Sequence, residues 1–493
     1  MSEPAQDADS SQSRVGHFFY RALAEVGLIP LWQSPLDTKL LCAQRFVRLF
    51  AYGGSTLVLA SYLSALDISD EKIGLFMTLT LVGDVVISFF LTLFADTVGR
   101  KAVLMLGSAL MCASGIVFGL TSNYWALLAA AVFGVISPSG NEIGPFRAVE
   151  ESTIAHITSK EDMSDIFAWY SLIGTAGTAL GMMVCGWIMT VLQDIKGWDF
   201  VPACRIVFFV YAVVGAIKFL LTAGLSISVE AAKKQKQQKK KQQSTSTQPN
   251  PEQSSETAPL LGSNVQENVA NDEPAPKKRI VWFLPGVQAE FVSLVTSLLL
   301  LFALDSFASG LASLSWVTYF FRRKFGLSEG GLGSFFSAAS VIQAISMLIA
   351  SSIAKRFGNV KTMVFTHLPS AICLALIPIP SSLPFAMAFV VLRACTQNMD
   401  VAPRSAFLAT ALPPDQRTAL MGTLNVVKTS ASSLAPLLTG FLASRGLFWV
   451  AFVAAGSLKA TYDIGMLITF GGMDRKHKEQ AIRRDEENGS GRS

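Results

Sequence analysis

The sequence predicts an all-α membrane protein: twelve transmembrane helices in two pseudo-symmetric six-helix halves. Three observations carry that expectation. Of the 493 residues, 51% are hydrophobic and only 15% are charged, with a mean hydropathy of +0.44; soluble domains carry about 25% charged residues. The apolar residues fall in blocks of about 20, the length that crosses roughly 30 Å of hydrocarbon at 1.5 Å per residue. The blocks of the first half also recur, in order, in the second. The short alternating strands of a membrane β-barrel are missing.

Taken in order, residues 1–40 are a polar tail in which 14–33 mixes Phe18, Phe19, Leu23 and Leu28 with Arg21 and Glu25. That composition suits an interfacial helix or an ordered tail. The first half, 41–228, holds apolar runs at 41–66, 73–95, 102–120, 125–146, 166–192 and 204–227. Residues 229–288 are a low-complexity insert, basic from Lys233 to Lys241 and then rich in Ser, Gln and Pro, that cannot bury a core. The second half, 289–471, has runs at 291–321, 332–354, 362–379, 383–411, 419–443 and 447–470. Residues 472–493 are a charged tail. The Lys/Arg bias puts both termini in the cytosol, with Arg322, Arg323 and Lys324 as the exception. The basic part of the insert is either a solvated linker or a contact for anionic lipid, at about 1 kcal/mol per charge. Glu256-Thr-Ala-Pro-Leu260-Leu261 has the form of an acidic dileucine sorting signal, which suits a plasma, vacuolar or endosomal membrane.

The internal repeat is the strongest signal. Ile68 to Gly74 (ISDEKIG) pairs with Leu327 to Gly333 (LSEGGLG), a register that sets Asp84 against Gln343, Thr92 against Ser351 and Gly99 against Gly358. Leu49-Phe-Ala51 meets Leu301-Phe-Ala303, Glu142-Ile-Gly-Pro145 meets Asp400-Val-Ala-Pro403, and Gly215-Ala-Ile-Lys218 meets Gly456-Ser-Leu-Lys459.

Between the second and third runs lies LTLFADTVGRK, with Asp96, Gly99, Arg100 and Lys101 in six residues. This resembles the signature loop of the major facilitator superfamily, G-x-x-x-D-x-x-G-R-R/K, with Thr92 in place of the leading glycine. A basic loop that only obeys the topology rule fits the same residues. The resemblance covers about residues 40–470 and implies transport at the interface of two parallel-related halves. It gives the loop a gating role: Asp96 pairs across the halves, Arg100 holds it, and Gly99 allows the tight turn. The second-half loop is degenerate, with Lys355 where Asp96 would recur and Asn359 in place of the arginine. The stripe Gly174, Gly177, Gly181 lacks the Gly-Pro step of the family's antiporter signature, and reads as close helix packing.

No phosphate-binding loop, metal-ligand cluster or nucleophile with a base stands out, so neither an enzyme, a cofactor nor a nucleic-acid partner is expected. The six cysteines read as small packing residues. The informative residues are polar groups inside the apolar runs, where a charge costs about 2.5–3.5 kcal/mol. They are Asp84 in run 2, Asn141 and Glu142 in run 4, Asp305 in run 7, and Asn425 with Lys428 in run 11. Run 10 adds Arg393, Gln397, Asn398, Asp400 and Arg404, of which Arg393, Gln397 and Asp400 have the spacing of one helix face. Glu142 and Asp400 sit at matching places in the repeat, and a buried carboxyl can take a proton on one side and release it on the other. Lys459 and Asp463 have the spacing of an intrahelical ion pair. Lys218 either snorkels to a surface or faces a cavity or partner, Arg45 and Arg48 are expected to set topology or touch ligand, and Arg147, Glu150 and Glu151 to form loop salt bridges. The expected function is a monomeric, proton-coupled secondary transporter of a small organic solute, with export favoured. The alternatives are nutrient or organic-ion uptake, and a non-transporting receptor or scaffold on the same fold. Glu142→Gln should abolish pH-gradient-driven flux in proteoliposomes while the protein still inserts; unchanged coupled flux would remove Glu142 from the mechanism.

Overall fold

The computed structural model describes residues 28–134, 136, 145–159, 161–230, 289–412 and 417–472, nearly all of them helical. The first half comprises α1 (Leu28–Gln33), α2 (Leu36–Ala65), α3 (Asp70–Val98), α4 (Arg100–Leu120), α5 (Tyr124–Gly134), α6 (Pro145–Ile157), α7 (Met163–Thr190) and α8 (Phe200–Ala223). The second comprises α9 (Ala289–Leu311), α10 (Leu314–Phe325), α11 (Glu329–Phe357), α12 (Asn359–Leu376), α13 (Leu383–Thr396), α14 (Val401–Ala411), α15 (Arg417–Ser444) and α16 (Phe448–Phe470). Among the described residues, nine helical spans are long and apolar enough to cross a membrane. Adding α5 with α6, α12, and α13 with α14 fits a path of twelve crossings.

Two runs expected as single helices are interrupted, and a third changes helix within the same interval. Run 7 breaks between α9 and α10, where Ser313 turns extended (φ −61, ψ 157). The Leu311 carbonyl freed there accepts the Thr439 hydroxyl of α15 at 2.8 Å, so the break leaves no orphan at that atom. Run 10 breaks at Gln397–Asp400, which dissolves the single face expected for Arg393, Gln397 and Asp400. In run 4, α5 stops at Gly134 and α6 starts at Pro145. Asn141 and Glu142 lie outside the described residues.

The repeat is written into the packing. Gly99 and Gly358 hold φ of 113° and 90° at the starts of α4 and α12, values that an L side chain rarely adopts. In the first half α2 packs on α7 and α4 on α8; in the second α9 packs on α15 and α12 on α16. The halves meet along α3–α15 and α7–α11. These crossings are tight because the matching residues Gly74 and Gly333 carry no side chain. A Cβ on Gly74 would lie 2.7 Å from the Pro436 carbonyl oxygen, and one on Gly333 would overlap the Met182 carbonyl.

Hydrogen bonds latch the halves at the end where α3 and α11 begin, the far end from the start of α2 and the end of α16. Asp70 accepts from Tyr319 at 2.9 Å and from Arg323 at 2.7 Å. Its counterpart in the repeat, Glu329, pairs with Arg322 at 2.7 Å and accepts from Gln193 at 3.2 Å. The Arg322 guanidinium also sits 3.6 Å over the Phe200 ring, and Lys324 donates to the carbonyls of Pro378 and Pro380. The basic triplet that broke the charge rule is thus fully engaged at this seal. Outside it lies a cavity of about 1010 Å³ lined by Asp67, Asp70, Asp194, Arg322, Arg323 and Glu329 among others.

Gly74→Ala and Gly333→Ala should each lower the stability of the purified protein by about 1–3 kcal/mol through overpacking. Gly422→Ala, whose added Cβ meets only open space, should not. Thermal unfolding in detergent reads the difference, and equal midpoints for all three would place the contact elsewhere.

Candidate functional site

Two clusters of buried charge, one in each half, and a lone acid form the candidate site. In the first half Glu150, on α6, is fully buried. It pairs with Arg48 of α2 at 2.7 Å and Lys218 of α8 at 3.2 Å, and accepts the Tyr170 hydroxyl of α7 at 2.6 Å. The Arg45 guanidinium stacks 4.3 Å from the Tyr170 ring centre. This decides one expectation and corrects another. Lys218 does not snorkel to a surface, because a carboxylate stands within reach inside the half. Glu150 is not a loop residue; of its trio, Arg147 and Glu151 make the expected pair, at 2.6 Å.

In the second half Asp305 of α9 accepts Lys459 of α16 at 2.6 Å, and Arg404 of α14 approaches it at 3.5 Å. Arg404 also pairs with Asp400 one turn before it. Lys459 therefore does not bond Asp463 within its own helix. It turns to Asp305, which it shares with Arg404, and to the Ser309 hydroxyl at 2.8 Å. Both oxygens of Asp463 lie 3.0 Å from Nδ1 of His367 on α12. Lys218 and Lys459 hold matching places in the repeat, but their acids do not. Gly53 stands where Asp305 would recur, packed against the Thr178 carbonyl.

Asp84, on α3, is 1% exposed, and neither of its oxygens has a hydrogen-bond partner among the described residues. Tyr211 of α8 lies within electrostatic reach of it. Other expected residues fall elsewhere. Arg393 lies apart from the Asp305 cluster, within reach of Cys373 on α12. Gln397 caps α13. Asn398 donates to Gln343, the counterpart of Asp84, at 3.3 Å. Asn425 is exposed on α15, and the partly buried Lys428 stands 5.5 Å over the Phe302 ring.

The loop residues bind an element that the sequence did not mark. Glu230, just inside the insert, accepts the backbone N–H groups of Arg100 at 3.0 Å and Lys101 at 3.3 Å. A carboxylate there compensates the free amides and dipole at the start of α4. The Lys101 ammonium donates to the carbonyls of Ala223 at 2.8 Å and Leu225 at 2.6 Å. The side chain of Asp96 lies outside the described residues. Sequence reasoning missed Glu150, Tyr170, His367 and Glu230 as site residues. For Glu150 a signal existed, since an in-run lysine such as Lys218 needs an acid from another helix.

Two related helical halves of membrane-length spans, each with paired charges buried inside, define an integral membrane protein. Residues 41–309 and 298–488 match the family profile described as Major Facilitator Superfamily, and the chain belongs to that family. An uncharacterised membrane protein of Saccharomyces cerevisiae is 35% identical over 450 residues, which is 91% of this chain and 97% of that one. Among solved structures, a mutant of the nucleoside transporter NupG aligns with a TM-score of 0.63 at 12% identity, covering 88% of this chain and 99% of its own. A D-xylose–proton symporter aligns with a TM-score of 0.63 at 13% identity, covering 88% and 97%. At such identities the likeness is one of fold.

Glu150→Gln strands Arg48 and Lys218 in the interior and should cost about 3–5 kcal/mol. Adding Lys218→Met should recover part of that. Thermal unfolding of the two variants tests it, and additive losses would mean that Glu150 and Lys218 are not coupled.

Proposed function

We propose that the chain is a secondary active transporter that moves a small organic solute by alternating access of its two halves, driven by protons. The observation that supports this best is Asp84: a carboxyl buried in a membrane-length helix with no partner among the described residues. Burying an unpaired charge costs several kcal/mol, whereas the neutral acid is cheap to bury. A group that favours one conformation when protonated and another when ionised couples protons to motion. The second-half cluster supplies the other requirement. Asp305, Asp400, Arg404 and Lys459 come from α9, the α13–α14 turn, α14 and α16, and a polar solute that exchanges partners with them moves those elements. The latch through Asp70 and Glu329 closes one side, and release of Arg323 from Asp70 opens it. In the opposite state the loop of Asp96, Arg100 and Lys101 closes the cytosolic side. Glu142, at the place that matches Asp400, is a second proton or substrate contact. A scaffold would gain nothing from carrying Asp84 through hydrocarbon.

A comparison of soluble metabolites in cells with and without the chain should identify a displaced solute. In proteoliposomes its flux should follow an imposed pH gradient, and Asp84→Asn should remove that dependence while downhill exchange persists. Flux that ignores the gradient in the unmodified protein would overturn proton coupling, and the absence of any displaced solute would overturn transport.

A further inference from the structure

Several buried charges of the second half have local partners. Asp305 holds Lys459, and Asp400 holds Arg404. Asp463, on the same helix as Lys459, is engaged on both oxygens by His367. Lys428 is different. Its ammonium makes no hydrogen bond or ion pair with a described residue, and it stands 5.5 Å from the centre of the Phe302 ring. The Arg404 guanidinium stands 5.9 Å from the same ring. Asp305, Asp400, Arg404 and Lys459 all lie within electrostatic reach of Lys428. Those four hold one another in pairs, so Lys428 is a cation with no carboxylate of its own among the described residues. An aromatic face compensates a cation only in part.

The position of Lys428 fits a ligand contact. The later stretch of α15, with Pro436, Leu437 and Gly440, is locked against α3 at the far-end seal. Lys428 lies on the earlier stretch, where Asn425 is exposed and Gly422 faces open space. That stretch is on the side of the molecule away from the latch. We infer that Lys428 is the contact for a negative charge on the transported solute, which is therefore a small organic anion. Its oxyanion meets the ammonium, and the Asn425 amide meets a further polar group. This rests on the transport reading above and names the substrate class of the same site.

Two measurements on the full chain test it. In detergent, pyridoxal 5′-phosphate, an anionic aldehyde, is compared with uncharged pyridoxal by borohydride reduction and peptide mapping. Relative to the lysines between Lys233 and Lys241, Lys428 should be labelled several-fold more by the anionic aldehyde, and the paired Lys459 by neither. Equal relative labelling, or none at Lys428, overturns the site without reliance on any variant. In cells, the solute displaced by the chain should be an organic anion, lost in K428Q and kept in K428R when both reach the membrane at the unmodified level. A neutral or cationic displaced solute, or an unaffected K428Q, overturns this inference and leaves transport standing. No displaced solute in any strain overturns both.

Discussion

A charge inside hydrocarbon must find a partner, and that demand shapes both halves of this protein. Glu150 draws α2, α7 and α8 onto α6 through Arg48, Tyr170 and Lys218. Asp305 does the same for α9, α14 and α16 through Arg404 and Lys459. Apolar side chains cannot supply this specificity, since lipid tails are as apolar as leucine. Close approach through small residues brings the helices together, and ionic pairing then selects which ones stay adjacent.

The two halves solve the same packing problem with the same residues and the charge problem with different ones. Gly74 and Gly333 set the inter-half crossings, Gly99 and Gly358 the turns, and Lys218 and Lys459 the cation position. The acids have moved: one lies on α6, the other on α9. Packing geometry is constrained by backbone contact and tolerates little drift, whereas a long lysine stem reaches an acid from several directions. The asymmetry gives each half its own electrostatic character.

Much of this was legible in the residues. Run lengths gave the crossings, and the repeat gave the halves and the positions of matching glycines. Asp305, Asp400 and Arg404 were picked out by being charged in apolar runs, and the structure brings them together. The partners were harder to read. Lys459 and Asp463 have ideal helical spacing, yet each turns to a different neighbour, because an i,i+4 pair on one helix competes poorly with a buried acid on another. The helix interruption at Ser313 was also hidden, since the Thr439 hydroxyl compensates it and leaves no local mark, whereas the one at Gln397–Asp400 precedes Pro403, which cannot donate to the Met399 carbonyl.

The capping of α4 by Glu230 changes where the connection between the halves is anchored. Glu230 is tied to the amides of Arg100 and Lys101, and Ser226 and Ser228, just after α8, are tied to Asp37 at the start of α2. The end of the first half is therefore bonded at the same time to the α3–α4 corner and to the head of α2.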